Sequence, residues 1–223
     1  MQVRYRRDPV KVLRRMQRAK AEDITEAIER IAADPWAPNS NVRPLKGVPG
    51  GFRARVGDWR VSYKVDTEAQ AVEVFEVAPR GRGVSMSGTK IRFLGELEGS
   101  LTALAIAESL EAQAVGEAEE ADLVVVRPTD LDELIEDAAA AAAFRNTRDQ
   151  ETVPAEVVDR LIAGENPVKV WREHRGLSQR ALANRAGLNF AYLSQIETGA
   201  RKGPIATIKK LADALDLDLG DLT

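Results

Sequence analysis

Apolar residues recur at helical spacing from the start of the chain. Across residues 8–33, Val12, Leu13, Met16, Ile24, Ile28 and Ile31 share one side of a 3.6-residue repeat, with Arg and Glu between them. The pattern predicts two helices with a break near Lys20 to Asp23. Asp34, Pro35, Pro38 and Asn39 then end the helical run in a loop. From Gly51 the repeat shortens to two: Phe52, Ala54 and Val56 point one way, Arg53 and Arg55 the other. Gly57-Asp58 predicts a turn into a strand over residues 59–65, and AVEVFEVA at 71–78 predicts a further strand. With a short opening strand, residues 1–85 are expected to form an α+β domain of two helices on an antiparallel sheet.

Residues 79–90 (PRGRGVSMSGTK) have no periodicity and mark a boundary. Beyond it the sequence predicts short strands at 91–94 and 123–126 and a helix over 101–114. A second helix starts at Asp130 with an acidic first turn and runs through an alanine tract to about Phe144. Residues 86–150 are therefore expected to be a mixed connector. Residues 154–163 predict a short helix closed by Gly164, Asn166 and Pro167, and five helical segments follow, at 168–174, 178–186, 189–198, 205–214 and the end of the chain. Ser178 stands where a cap is needed, and Gly187 where a tight turn needs a residue without a Cβ. Leu182, Ala183, Ala186, Leu188, Leu193 and Ile196 are the expected inward positions. Two crossed helices joined by such a turn allow the later one to enter the major groove of DNA. The expected third domain, residues 151–223, is all-α.

Hydrophobic residues at 44% and charged residues at 30% describe a globular chain that buries a core. The absence of cysteine excludes a disulfide framework, thiolate zinc sites and a cysteine nucleophile, and fits a reducing compartment. Neither a metal site nor a cofactor motif is present in the sequence. No apolar run approaches a membrane span, and MQVRYRRDPV carries charge where a signal peptide needs its apolar stretch, so a cytoplasmic chain without a membrane partner is expected. Charge is unevenly placed. Residues 1–85 carry 17 Lys and Arg against 11 Asp and Glu, residues 86–150 carry 5 against 14, and residues 151–223 carry 10 of each; the overall charge of −3 thus conceals segments of +6, −9 and zero. Such a split fits either two nucleic-acid-facing units on a solvated linker or an acidic segment laid over a basic surface.

The stretch LSQRALANRAGLNFAYLSQIETGARKGP closely resembles the Xre (Cro/phage-repressor) helix-turn-helix family, and the likeness spans about 55 residues from Val168. The resemblance implies binding to a double-stranded DNA operator. It implies that Gln179 bonds a backbone phosphate, that Phe190, Ala191 and Gln195 face base edges, and that Arg201 and Lys202 hold phosphates, with Arg180 and Asn189 beside them in the DNA-binding set. An apolar Phe190 suits a thymine methyl group. Arg172 and Glu197 match a buried ion pair of the family that locks helices together. With zero net charge the domain should bind weakly as a monomer, so a homodimer on a palindrome is expected.

The opening domain, through LKGVPGGFRARVGDWRVSYKV, resembles the RelE/ParE toxin superfamily over residues 1 to about 85. In the RNA-cleaving branch a basic cluster on the sheet holds phosphate and stabilises the transition state, and Arg53, Arg55, Arg60 and Arg80 align with those catalytic positions. The branch's closing tyrosine is absent, since no tyrosine follows Tyr63 in this domain, and the single histidine, His174, lies elsewhere. Ribosome-dependent mRNA cleavage, action on DNA gyrase, and a merely solvated arginine face all stay open at this point. Together the resemblances imply a toxin and an antitoxin of a type II system fused head to tail, with Met86 where a separate antitoxin would start. The acidic segment is then expected to cover the basic sheet through Asp130, Asp132, Glu133, Glu136 and Asp137, helped by tethering. The bland alternative is that its carboxylates, such as Glu117, Glu119, Glu120 and Asp122, form a solvated turn. Two functions follow: an autorepressor whose toxin half is neutralised in cis, or a latent endoribonuclease or gyrase-directed toxin released by proteolysis near residues 79–90 or 145–152.

Overall fold

The computed structural model describes residues 1–80 and 128–223, the side chains of the second stretch from Glu133 onward. The strands expected at 91–94 and 123–126, the helix at 101–114 and the junction at Met86 lie outside the described residues. The first stretch comprises β1 (Gln2–Arg6), α1 (Arg7–Arg15), α2 (Arg18–Ala33), β2 (Val42–Pro44), β3 (Gly51–Val56), β4 (Trp59–Asp66) and β5 (Ala71–Pro79). In the second stretch, α3 (Pro128–Asn146) and β6 (Thr152–Pro154) precede α4 (Ala155–Ile162), α5 (Pro167–His174), α6 (Gln179–Ala186), α7 (Phe190–Glu197), α8 (Ile205–Leu215) and α9 (Leu219–Leu222). The architecture is α+β, with a sheet at the amino-terminal side and helices at the other.

The two amino-terminal helices divide at Met16-Gln17 rather than near Lys20 to Asp23, and Met16 is extended at φ −88°, ψ 170°. The polar run that suggested the later break is the outward face of the first turns of α2. Its inward residue there is Ala21, fully buried but too small to register in an apolar count dominated by Leu and Ile.

Six strands form one sheet in the order β2-β3-β4-β5-β1-β6. The β3-β4-β5 meander is antiparallel, while β1 runs parallel to β5 from the pair Gln2/Ala71 to Tyr5/Val74. Thr152–Pro154 pair antiparallel with β1 at the far edge, Tyr5 facing Val153. The outermost strands are three residues long and each contains proline, which leaves little free edge for another chain to pair with.

Strand alternation gives the sheet two different faces. Ala54, Val61, Tyr63, Val65, Val72 and Val74 pack against Val10 and Leu13 of α1 and Ile24 and Ile28 of α2. Arg53, Arg55, Arg60, Ser62 and Glu76 occupy the other face, where register sets Arg55 opposite Arg60 and Arg53 opposite Ser62. That face is covered by α3, whose Ala140, Ala141 and Phe144 pack on Leu45, Val48 and Phe75. The main core continues from the sheet through Val153, Val158 and Leu161 into the helical region at Val168, Trp171, Leu182, Leu193 and Leu211. Residues 152–162, expected in the carboxyl-terminal unit, thus pack with the sheet domain.

Candidate nucleic-acid interface and the basic sheet

Each helix in the 167–198 stretch starts on a side chain that satisfies its free backbone N–H groups. Asn166 Oδ1 accepts from the amides of Val168 and Lys169 at 3.0 and 3.4 Å, with Pro167 in the first turn. Its Nδ2 donates to the carbonyl of Ile196 at 2.8 Å and so fastens the start of α5 to the end of α7. Ser178 Oγ accepts from Ala181 N–H at 3.1 Å, and Asn189 Oδ1 from Ala191 N–H at 2.8 Å. Between α6 and α7, Gly187 sits at φ 64°, ψ 37°, the left-handed conformation that closes a helix without a Cβ clash. Leu188 N–H then returns to the carbonyl of Ala183 at 2.8 Å.

Arg172 and Glu197 meet in a bidentate pair, Nε to Oε1 at 2.7 Å and Nη2 to Oε2 at 3.0 Å, with the Glu197 side chain 1% exposed. Arg172 Nη1 also donates to the Leu177 carbonyl at 2.8 Å, and Gln179 Nε2 to Glu197 Oε2 at 2.8 Å. The Glu197 carboxylate holds the Arg172 proton still more firmly than usual. These four bonds join α5, α6 and α7. Gln179 therefore has its donor turned onto Glu197, and Asn189 has its oxygen on a cap.

The outer surface of α7 carries Phe190, Ala191 and Gln195, all exposed, with Tyr192 half-buried. The guanidinium of Arg180 lies over the Phe190 ring at 5.7 Å and that of Arg201 over Tyr192 at 4.9 Å. Arg180, Arg201 and Lys202 are exposed, and among the described residues none of these three side chains makes a hydrogen bond or ion pair. Donors that face solvent without a partner suit a phosphate or base edge.

The sheet arginines are held differently. Arg53, 4% exposed, reaches Glu136 Oε2 at 3.0 Å and Asp137 Oδ1 at 3.1 Å, and Arg60 pairs with Glu136 Oε1. Arg55 and Arg43 approach Glu133 Oε1 at 3.6 and 3.5 Å. Burial pushes the carboxyls of Asp137 and Glu76 up, against the opposing pull of Arg53 on the first and of the Ser62 hydroxyl on the second. Beside α3 an open depression of about 570 Å³ is lined by Arg55, Asp58, Arg60, Arg80 and Glu136. Of the four sequence candidates, Arg55, Arg60 and Arg80 converge there, while Arg53 lies under α3. Tyr63 is buried on the opposite face, where burial raises its hydroxyl. The side chains of Asp130 and Asp132 are outside the described set.

Sequence reasoning missed the residues that tie these parts together. Arg6, 3% exposed, pairs with Glu73, donates to the Phe144 carbonyl at 2.8 Å and to Thr147 Oγ1 at 2.9 Å, and lies 4.6 Å from the Phe144 ring centroid. One residue on, Arg7 reaches Asp221 at 3.4 Å; Lys11 reaches Asp218 at 3.2 Å and Asp221 at 3.5 Å; Arg14 donates to the Asp221 carbonyl. Glu151, just before β6, is bound by Arg175, Nη2 to Oε2 at 2.7 Å. No local signal in the sequence marks such long-range partners.

The Arg175 hydrogen bonds draw the Glu151 carboxyl below its usual range. A lowered folded value contributes stability above the unfolded glutamate value of about 4.3, and that stability is lost as pH falls through the lower folded value. Glu151→Gln should therefore lower Tm at neutral pH and flatten this part of the acid limb. Parallel thermal melts from neutral to strongly acidic pH measure it, and superimposable acid limbs for both proteins would show that the pair contributes nothing.

The family model described as Helix-turn-helix matches residues 168–222. The stretch that carries the capped α6-Gly187-α7 unit and its free cations is thus a helix-turn-helix domain, and it makes the chain a DNA-binding regulator. No curated protein and no solved structure matches the chain. Among the described residues no helix is long and apolar enough to cross a membrane.

Proposed function

We propose that this chain is a fused toxin-antitoxin protein: a sequence-specific autorepressor, binding its operator as a dimer, whose RelE/ParE-like sheet is silenced by its own α3. The observation that carries the reading is the carboxylate set on α3. Glu136 joins Arg53 and Arg60, Asp137 adds to Arg53, and Glu133 faces Arg55 and Arg43. An anionic helix over arginines suited to phosphate fills the place a nucleic-acid backbone would take. The contrast with the cations around α7, unpaired among the described residues, supports the same division between a covered and an uncovered basic surface. The position of Tyr63 on the far face removes it from proton transfer and favours a silenced or non-cleaving sheet over a nuclease.

The test is induced expression of the full chain and of its Glu133→Lys/Glu136→Lys variant, scoring growth and repression of a reporter under the DNA upstream of the gene. The wild type should repress without slowing growth, and the variant should arrest growth. A variant that is folded and soluble yet harmless would defeat neutralisation in cis, and an unrepressed reporter would defeat autoregulation.

A further inference from the structure

We infer that Arg180, on α6, reads a guanine in the operator, close to a thymine whose methyl group rests on Phe190. The inference rests on the reading of the chain as a sequence-specific DNA binder. Phe190 is the first residue of α7, the end of a recognition helix that reaches deepest into the groove, and 45% of it is exposed. A phenyl ring offers a base nothing but apolar contact, and in the major groove the matching feature is the thymine C5-methyl. Arg180 comes from the neighbouring helix, with its guanidinium over that ring at 5.7 Å.

The guanidinium lies over the ring, and no described residue accepts from its N–H groups. A planar fork free in this way matches the O6 and N7 acceptors of guanine. Because the guanidinium and the ring lie side by side on the interface, the guanine is expected close to the thymine that Phe190 contacts. Gln179, the preceding residue, donates to Glu197, and the Asn189 oxygen accepts the cap bond, whereas Arg180 has its whole guanidinium unpaired among the described residues. Arg201, over the Tyr192 ring and past the far end of α7, remains available to hold phosphate.

The test begins by selecting binding sites from a random duplex pool with the full-length chain. Affinities for the selected site are then measured for wild type, Arg180→Gln and Phe190→Ala, all checked for unchanged melting. For wild type, replacing the guanine by 7-deazaguanine should weaken binding about tenfold, and replacing the neighbouring thymine by deoxyuridine should weaken it several-fold. Arg180→Gln should lose the first effect and Phe190→Ala the second. If Arg180→Gln instead weakens all sequences equally and lowers the salt dependence by about one charge, the residue contacts phosphate and the inference falls while sequence-specific binding stands. A selected motif that is unchanged in the Arg180→Gln variant overturns the inference in the same way. If the pool yields no motif, sequence-specific recognition fails and the inference with it.

Discussion

Glu136→Gln should destabilise the protein by about 3 kcal/mol, the lower end of the cost of leaving a buried ion without its partner. Arg53 would keep Asp137, but Arg60, whose side chain is 7% exposed, would keep among the described residues only its bond to the Pro79 carbonyl. The lower end applies because Glu136 itself is partly open to water. The loss has two routes. The whole chain unfolds more easily, or α3 lifts from the sheet and lets water reach both arginines. Among the large apolar groups in the described part of α3, Leu134 is buried and Phe144 packs beside Phe75, each contributing about 1.5–3 kcal/mol at full burial. That hold is of the same order as the loss, so local lifting should take a share of it. Denaturation and amide exchange separate the routes, with faster exchange confined to α3 reporting the second. Glu133→Gln is the matched control, because its contacts are long and exposed, and it should stay within about 0.5 kcal/mol of wild type. If Glu136→Gln behaves like the control, Glu136 does not hold α3.

Arg172→Ala should cost about 3–5 kcal/mol, a large part of the total stability of about 5–15 kcal/mol of a typical domain. The substitution leaves Glu197 buried with Gln179 as its remaining side-chain partner and frees the Leu177 carbonyl. It also uncouples α5 from α7, so DNA affinity should fall with stability. A second variant distinguishes this from simple loss of packing. Replacing both residues by apolar ones of similar size should restore much of the loss, since no buried charge then lacks a partner. A double variant no more stable than Arg172→Ala would show that the ion pair is not the source.

The helix-turn-helix was legible because its signals are local. Ser178 and Gly187 each act within four residues of their own position, and the helices at 167–215 fall close to where caps and apolar spacing set them, although Asn189, expected inside a helix, is the cap of α7. Strand alternation likewise put Arg53 and Arg55 on one face. What alternation does not contain is the depth of each residue: Arg53 is nearly sealed and Arg55 is not, because α3 crosses one and flanks the other. That crossing depends on partners 83 positions apart in the chain. The β6 strand was missed for a simpler reason. Three residues ending in proline show no period, and they become a strand because β1 offers them a free edge.

That edge pairing has a consequence for what a break in the chain would do. A single cut between Arg80 and Pro128 would leave two fragments, yet the β1-β6 ladder, the Arg6 clamp on Phe144 and Thr147, and the contacts of Arg7, Lys11 and Arg14 with the last residues would still hold them together. The nicked protein would behave as a non-covalent heterodimer. Unmasking the arginines therefore requires destroying the carboxyl-terminal fragment, and its lifetime, more than the integrity of the connecting peptide, sets how long the sheet stays covered.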